Sequence, residues 1–361
     1  MCHVTLFPFI ILLENTLTSA LSSSSIDTEI TEGERKLLPD HVLPHSYHIL
    51  LEPSWDDFTF SGTETIDISI VRATKEIVFH AYQIQIDECS LHFPSSTVPL
   101  VLFPEAIEYN EVDKTVRLQF ATELHGEAKL QISFSGFIND QMTGFYRSQY
   151  KNSKGENSHL LTTQMEPTDA RRVFPCWDEP ARKATFTISL RVPDSICALS
   201  NMPIKSEGKV SKGVKQVNFD VSPLMSTYLV AFSLGEFEYL EKSASNVTIR
   251  VYTPPGKKEQ GNFALDVAAN CLQFYNDYFD ISYPLPKLDL IAIPDFAAGA
   301  MENWGLITFR ENALLIDNQS SGISSRQRVA YVIAHEIAHQ VSSIDKEVKI
   351  LTKLCCSGSG I

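Results

Sequence analysis

From about Leu43 to Tyr252, apolar residues recur at every second position. Ile66, Ile68 and Ile70 alternate with polar neighbours, as do Val116, Leu118 and Phe120, then Leu130, Ile132 and Phe134. Phe186, Ile188, Leu190 and Val192 repeat the pattern, followed by Val217, Phe219 and Val221, then Val247, Ile249 and Val251. Successive side chains of a strand point to opposite faces, so a period of two puts each apolar set on one face of a half-buried sheet. Many such runs, separated by Gly, Pro, Asn and Asp turns, predict an antiparallel sandwich-like domain.

The period changes after Pro254-Pro255-Gly256, which marks an expected domain boundary. Ala264, Val267, Ala268, Cys271, Leu272 and Tyr275 follow the spacing of an amphipathic helix. Leu288–Ile293 and Trp304–Phe309 read as strands, and Gln327–Gln340 as a second helix with Ser324 or Ser325 as its N-cap. The expected organisation is a leader over residues 1–35, a β domain over 36–252, a mixed helix and strand region over 253–340, and a tail over 341–361.

Composition narrows the class of function. A chain of 361 residues with 43% hydrophobic and 20% charged residues is globular, with length for two or three domains. The formal net charge of −14 repels phosphate backbones, which argues against nucleic acid as a partner. The seven cysteines are sparse and lack paired spacing, which suits a reducing compartment better than a disulfide framework. Val4–Leu13 is apolar but far too short to span a bilayer, which takes about twenty residues. It has the length of a signal-peptide core, with Thr18-Ser19-Ala20 as a cleavage site, but no Lys or Arg precedes it, so a disordered leader is the plainer reading. Asn246-Val-Thr and Asn318-Gln-Ser match the glycosylation sequon and matter only if the chain is secreted.

The second helix carries His335-Glu336-Ile337-Ala338-His339, the pattern H-E-x-x-H. Histidines four residues apart share one helix face, and both imidazoles can reach one tetrahedral zinc ion. Glu336 lies beside that face, placed as general base for a water that the metal activates. Upstream, Gly299-Ala300-Met301-Glu302-Asn303 sits between the two predicted strands. A carboxylate held there can pair with a free α-ammonium.

Together these motifs resemble the M1 family of zinc aminopeptidases, the gluzincins. The likeness extends over Thr163–Arg172 (TQMEPTDARR), Phe174–Pro180 (FPCWDEP), Leu199–Met202 (LSNM), Met225–Phe232 (MSTYLVAF) and Asp289–Phe296 (DLIAIPDF). It covers roughly Leu43 to Gln340, and its wording is nearest to the puromycin-sensitive members. The resemblance implies a β-saddle domain followed by an α+β, thermolysin-like catalytic domain. It implies His335 and His339 as zinc ligands and Glu336 as general base. Glu302 and Glu166 would clamp the substrate's amine, Gly299, Ala300, Met301, Glu302 and Asn303 would present backbone to its first peptide unit, and Gln164 would line the first specificity pocket. The implied cofactor is one Zn2+, the implied partners are peptides with a free N-terminus, and the implied compartment is the cytoplasm, with the secretory pathway as the alternative if residues 1–20 are a signal peptide.

The likeness stops at Gln340. The family's third ligand, a Glu nineteen residues after the second His, falls on Gly358, which has no side chain. Glu347 stands too far along the helix to replace it, and Cys355 or Cys356 would have to fold back. The expectation is therefore an incomplete catalytic domain that holds zinc weakly and turns over little. The alternative is a binding module that recognises peptide ends or partner surfaces without catalysis.

Overall fold

The structure, a computed structural model, describes residues 37–94, 100–152 and 154–342. The expected leader, Glu347, Cys355, Cys356 and Gly358 lie outside the described residues. Every strand and helix belongs to the compact unit that begins at Leu38.

Three sheets are present among the described residues. The first takes β1 (Val42–Pro53), β2 (Thr59–His80), β3 (Ile84–Phe93), β4 (Leu100–Leu102), β5 (Ala106–Asn110), β6 (Thr115–Phe137), β9 (Thr185–Pro193), β11 (Ile204–Ser211) and β12 (Val214–Phe219). Their order is β11-β12-β9-β1-β2-β6-β3-β4, with β5 also on β6. The alternation read from the sequence is the burial pattern observed: in β2, Ile66, Ile68 and Ile70 are buried between partly exposed neighbours. The second sheet takes β7 (Gly144–Lys151), β8 (Asn157–Gln164), β10 (Cys197–Ser200) and β13 (Phe232–Gly235), in the order β10-β13-β8-β7. The two sheets meet across an aromatic core. Phe60 of β2 lies 5.5 Å from Phe145 of β7, which lies 4.9 Å from Phe232 of β13.

The predicted antiparallel sandwich-like domain contains a parallel pair. Strands β1 and β9 pair in parallel, from Ser46 opposite Thr185 to Leu51 opposite Leu190. Alternation reports which face is buried and is blind to strand direction. The run ending at Val221 also stops earlier: β12 closes at Phe219, and Val221 is exposed.

The third sheet orders β14 (Glu238–Ala244), β15 (Val247–Thr253), β16 (Lys287–Ile293), β18 (Leu306–Arg310) and β17 (Ala300–Met301). It draws strands from both sides of Pro254-Pro255-Gly256. Strands β15 and β16 are parallel, joined by the crossover helix α1 (Asn262–Phe279). After the single turn α2 (Glu311–Leu314) comes α3 (Ile323–Ser342), the helix that carries H-E-x-x-H. Tyr275 of α1 ties the two long helices by donating its hydroxyl to the Ala334 carbonyl at 3.0 Å.

The starts of β18 and α3 differ from the prediction. Strand β18 begins at Leu306 rather than Trp304, because Gly305 turns the chain with φ of +73°. Helix α3 starts at Ile323, so Ser324 and Ser325 lie inside its first turn. The Arg326 N–H donates to the Gly322 carbonyl at 3.3 Å, which makes Gly322 the first acceptor.

Candidate metal centre

Helix α3 places His335 and His339 one turn apart with their Nε2 atoms 3.2 Å from each other and their rings 4.8 Å apart in an edge arrangement. Two nitrogens bound to one tetrahedral zinc at about 2.0–2.1 Å stand about 3.3 Å apart. The two imidazoles therefore fit one ion without rearrangement. Burial lowers the pKa of both rings, His339 adding to the effect on His335 while Glu302 opposes it, which favours the neutral form that metal ligation requires. The same separation also admits a hydrogen bond from one protonated Nε2 to the other.

Glu336 lies on the same turn and is buried, with Oε2 lacking any hydrogen-bond partner. An orphaned buried carboxylate oxygen beside two converging imidazoles suits a metal and its reacting ligand better than a plain core. Burial first, and then Glu302 and Glu166, push the Glu336 carboxyl up to about 8. Among the described residues no cluster of three or more His, Cys, Asp or Glu side chains could hold a metal. Among the described residues the candidate centre thus has two imidazole donors and a buried acid.

The second half of the site comes from the third sheet. Ala300 and Met301 form β17, paired with Phe309 and Thr308 of β18, and β17 is the last strand in the sheet order. The Gly299 carbonyl accepts the Arg310 N–H at 2.9 Å, and the Arg310 guanidinium donates to the Phe296 carbonyl at 2.8 Å. The preceding loop is moored on β7. Asp295 accepts from the Ser148 hydroxyl at 3.2 Å and the Gln149 N–H at 2.9 Å, and Tyr146 donates to its carbonyl at 3.0 Å. Glu302, half-buried, follows β17 directly, and Asn303 is buried with its amide donating to the Thr308 hydroxyl at 3.2 Å.

Glu166 lies two residues beyond the end of β8 and is exposed. Its carboxyl is raised by burial of its own atoms and then by Glu302, so the two acids share one electrostatic environment. Gln164 ends β8 half-buried, with Oε1 shielded and unpartnered. Glu166, Glu302, His335, Glu336 and His339 thus converge on one region, formed by α3, the β17–β18 turn and the end of β8.

Sequence reasoning passed over Tyr228. It sits in the 3-10 turn Thr227–Leu229, and burial, then Glu302 and Glu166, push its phenol up to about 12. Its position inside the MSTYLVAF run was the available signal, but nothing in that run marks one hydroxyl as facing the acids.

Comparison with known proteins assigns the chain to a family. Residues 43–229 match the peptidase M1 N-terminal domain, and residues 263–342 match the peptidase family M1 domain. Over 312 residues the chain is 49% identical to Aminopeptidase M1 of Arabidopsis thaliana, covering 86% of this chain and 35% of that protein. It is 46% identical to the Puromycin-sensitive aminopeptidase of Caenorhabditis elegans, covering 84% of this chain and 32% of the relative. It is 43% identical to the Alanine/arginine aminopeptidase of Saccharomyces cerevisiae, covering 85% and 35%. The chain spans about a third of the length of each. Both halves match in sequence order, and the first match alone takes more than half of the chain, so this protein belongs to peptidase family M1.

Proposed function

We propose that the described region is the metal-holding and amine-recognising part of a zinc aminopeptidase that acts on peptides with a free N-terminus. The observation that carries this reading is the 3.2 Å approach of the His335 and His339 Nε2 atoms beside the buried, unpartnered Glu336. The aminopeptidase names of the relatives support it. In this proposal β1–β13 build the family's saddle domain, and the third sheet with α1 and α3 begins its thermolysin-like domain.

His335 and His339 would hold the zinc, which when bound supplies Lewis acidity to the scissile carbonyl. Glu336 takes a proton from the attacking water and returns it to the leaving amine. Glu302 and Glu166 pair with the substrate's ammonium. Because they come from two different parts of the fold, together they recognise a chain end rather than an internal peptide. The outer edge of β17 offers Ala300 and Met301 backbone groups to an extended peptide, as exposed edge strands do. Gln164, with its unpartnered Oε1, faces the first side chain. The proposed compartment is the cytoplasm, supported by the free thiols of Cys89, Cys176, Cys197 and Cys271. No helix among the described residues is long and apolar enough to cross a membrane.

The test is a paired measurement on zinc-loaded protein. Calorimetry compares a free-amine peptide with its N-acetylated twin, and an aminoacyl amide reports hydrolysis. Preference for the free amine that falls about tenfold or more in E302Q, with turnover abolished in E336Q, supports the reading. Equal affinity for both peptides in the wild type overturns the amine clamp. Amine preference without turnover selects the second reading, a peptide-end binding module.

A further inference from the structure

We propose that Gln340 is a positioning residue that fixes the amine-binding carboxylate of Glu302 in register with the metal helix. The inference rests on the reading of Glu302 as an amine ligand. Gln340 follows His339 directly on α3 and is 2% exposed. Its side-chain amide donates to the Glu302 carbonyl at 2.6 Å, and its Oε1 accepts the Gly305 N–H at 3.0 Å. One planar carboxamide thus spans the turn Glu302–Gly305 from a residue adjacent to a metal donor.

The far side of the turn is equally fixed. The Gly305 carbonyl accepts from the Lys287 ammonium at 2.8 Å and from the Asp289 N–H at 3.0 Å. Lys287 also donates to the Ser200 carbonyl at 2.6 Å and pairs with Asp289 at 2.7 Å. Asn201, buried, donates its amide to both the Leu229 and Trp304 carbonyls at 2.8 Å. Gly305 therefore joins three pieces of the fold: the metal helix through Gln340, the central strand β16 through Lys287 and Asp289, and the β domain through Ser200 and Asn201. These polar bonds are buried, so each partner left unmade would carry its full desolvation cost.

The geometric consequence is specific. Glu302 has its own backbone carbonyl tethered to α3, so a shift of the helix is transmitted to the carboxylate that meets the substrate's ammonium. A generic packing residue would support the binding of any peptide. A residue that sets the distance between the two halves of the site should matter for the charged end alone, because angstrom-scale displacement of a charge contact is costly.

Two variants test this in the purified zinc-loaded chain. Q340M removes the side-chain hydrogen bonds at similar volume, and Q340N keeps the amide but shortens its reach. Thermal unfolding identifies which variants fold. Calorimetry compares a free-amine peptide with its N-acetylated twin, and hydrogen exchange follows the backbone of residues 299–306. The expected result in a folded variant is about a tenfold loss of affinity for the free-amine peptide, under a twofold change for the acetylated twin, and exchange at the Gly305 amide at least tenfold faster. Unchanged exchange at Gly305, or an equal loss for both peptides, overturns the proposal. If wild-type protein shows no amine preference but Q340M still frees the Gly305 amide, the amine-clamp reading fails while the tether of the turn to α3 stands.

Discussion

Gly305 shows how closely the backbone must approach itself near the site. Its φ is +73°, and a Cβ there would stand 2.2 Å from the Asn201 carbonyl oxygen. That oxygen belongs to a buried segment held by its own side-chain bonds, so it cannot yield. Gly213 is a natural control, with a φ of +80° and open space around its would-be Cβ. G213A should therefore cost about 1 kcal/mol for the left-handed backbone alone, whereas G305A should cost about 3 kcal/mol or more. Urea titration of both variants checks this, and equal losses would remove the close approach as a cause. At this scale the sequence was informative about chemistry and silent about support. His335, Glu336, His339 and Glu302 stand out because their residue types and spacing match a metal site. Gly305, Gln340 and Lys287 do not, since their importance comes from hydrogen bonds to one another across long stretches of chain.

Among the elements, those with one buried face are legible through alternation, and of those buried on both faces β16 reads as a largely apolar run while β13 does not. Strands β2, β6 and β9 alternate and were anticipated. The four residues of β13 are all buried, so no alternation marks them, and their order beside β8 and β10 follows from tertiary packing. The end of β2 is tied to the segment Arg171–Asp178 that follows the second sheet's β8 in the chain. His80 bridges to Cys176, and its Nδ1 accepts the Asp178 N–H at 3.2 Å, which requires a bare nitrogen there. Beside it, Arg171 and Asp178 form a buried pair at 2.8 Å, and Thr227 donates to the same Asp at 2.7 Å. Burial first, and then Arg171, hold the His80 imidazole down to about 3, against an opposing pull from Asp113. A histidine depressed in this way contributes stability that is fully present above its unfolded value near 6.5 and is lost as pH falls toward 3. The unfolded chain binds the extra proton across that window, so stability should decline on acidification by up to about 1.4 kcal/mol per pH unit from this group alone. Denaturation of wild type and H80Q at a series of pH values between about 7 and about 4 checks the sign, with H80Q expected to be less stable near neutrality and to show a shallower slope. Parallel slopes in the two proteins would assign the acid sensitivity elsewhere.

For the whole molecule, charge becomes the relevant quantity. The chain carries a formal net charge of −14, and at the site Glu302 raises the pKa of Glu166, and both raise that of Glu336, which means that their fields add where a substrate would enter. A peptide that brings a free ammonium is attracted by both the overall field and the local one, whereas its acetylated twin, otherwise identical, is not. Exposed charges lose their reach beyond a Debye length of about 10 Å at 0.1 M salt, while partners in direct contact are screened much less. Lowering ionic strength from about 0.5 M to about 0.02 M should therefore strengthen free-amine binding several-fold, mostly through faster association, and leave the acetylated twin within about twofold. Stopped-flow association rates at several salt concentrations, taken with wild type and E302Q, separate the two sources of field. If the long-range charge of the molecule dominates, E302Q keeps the salt slope and loses affinity through faster dissociation. If the local acids dominate, E302Q flattens the slope itself. A free-amine peptide whose association rate ignores salt in both proteins would show that the acidic surface plays no part in bringing substrate to the site.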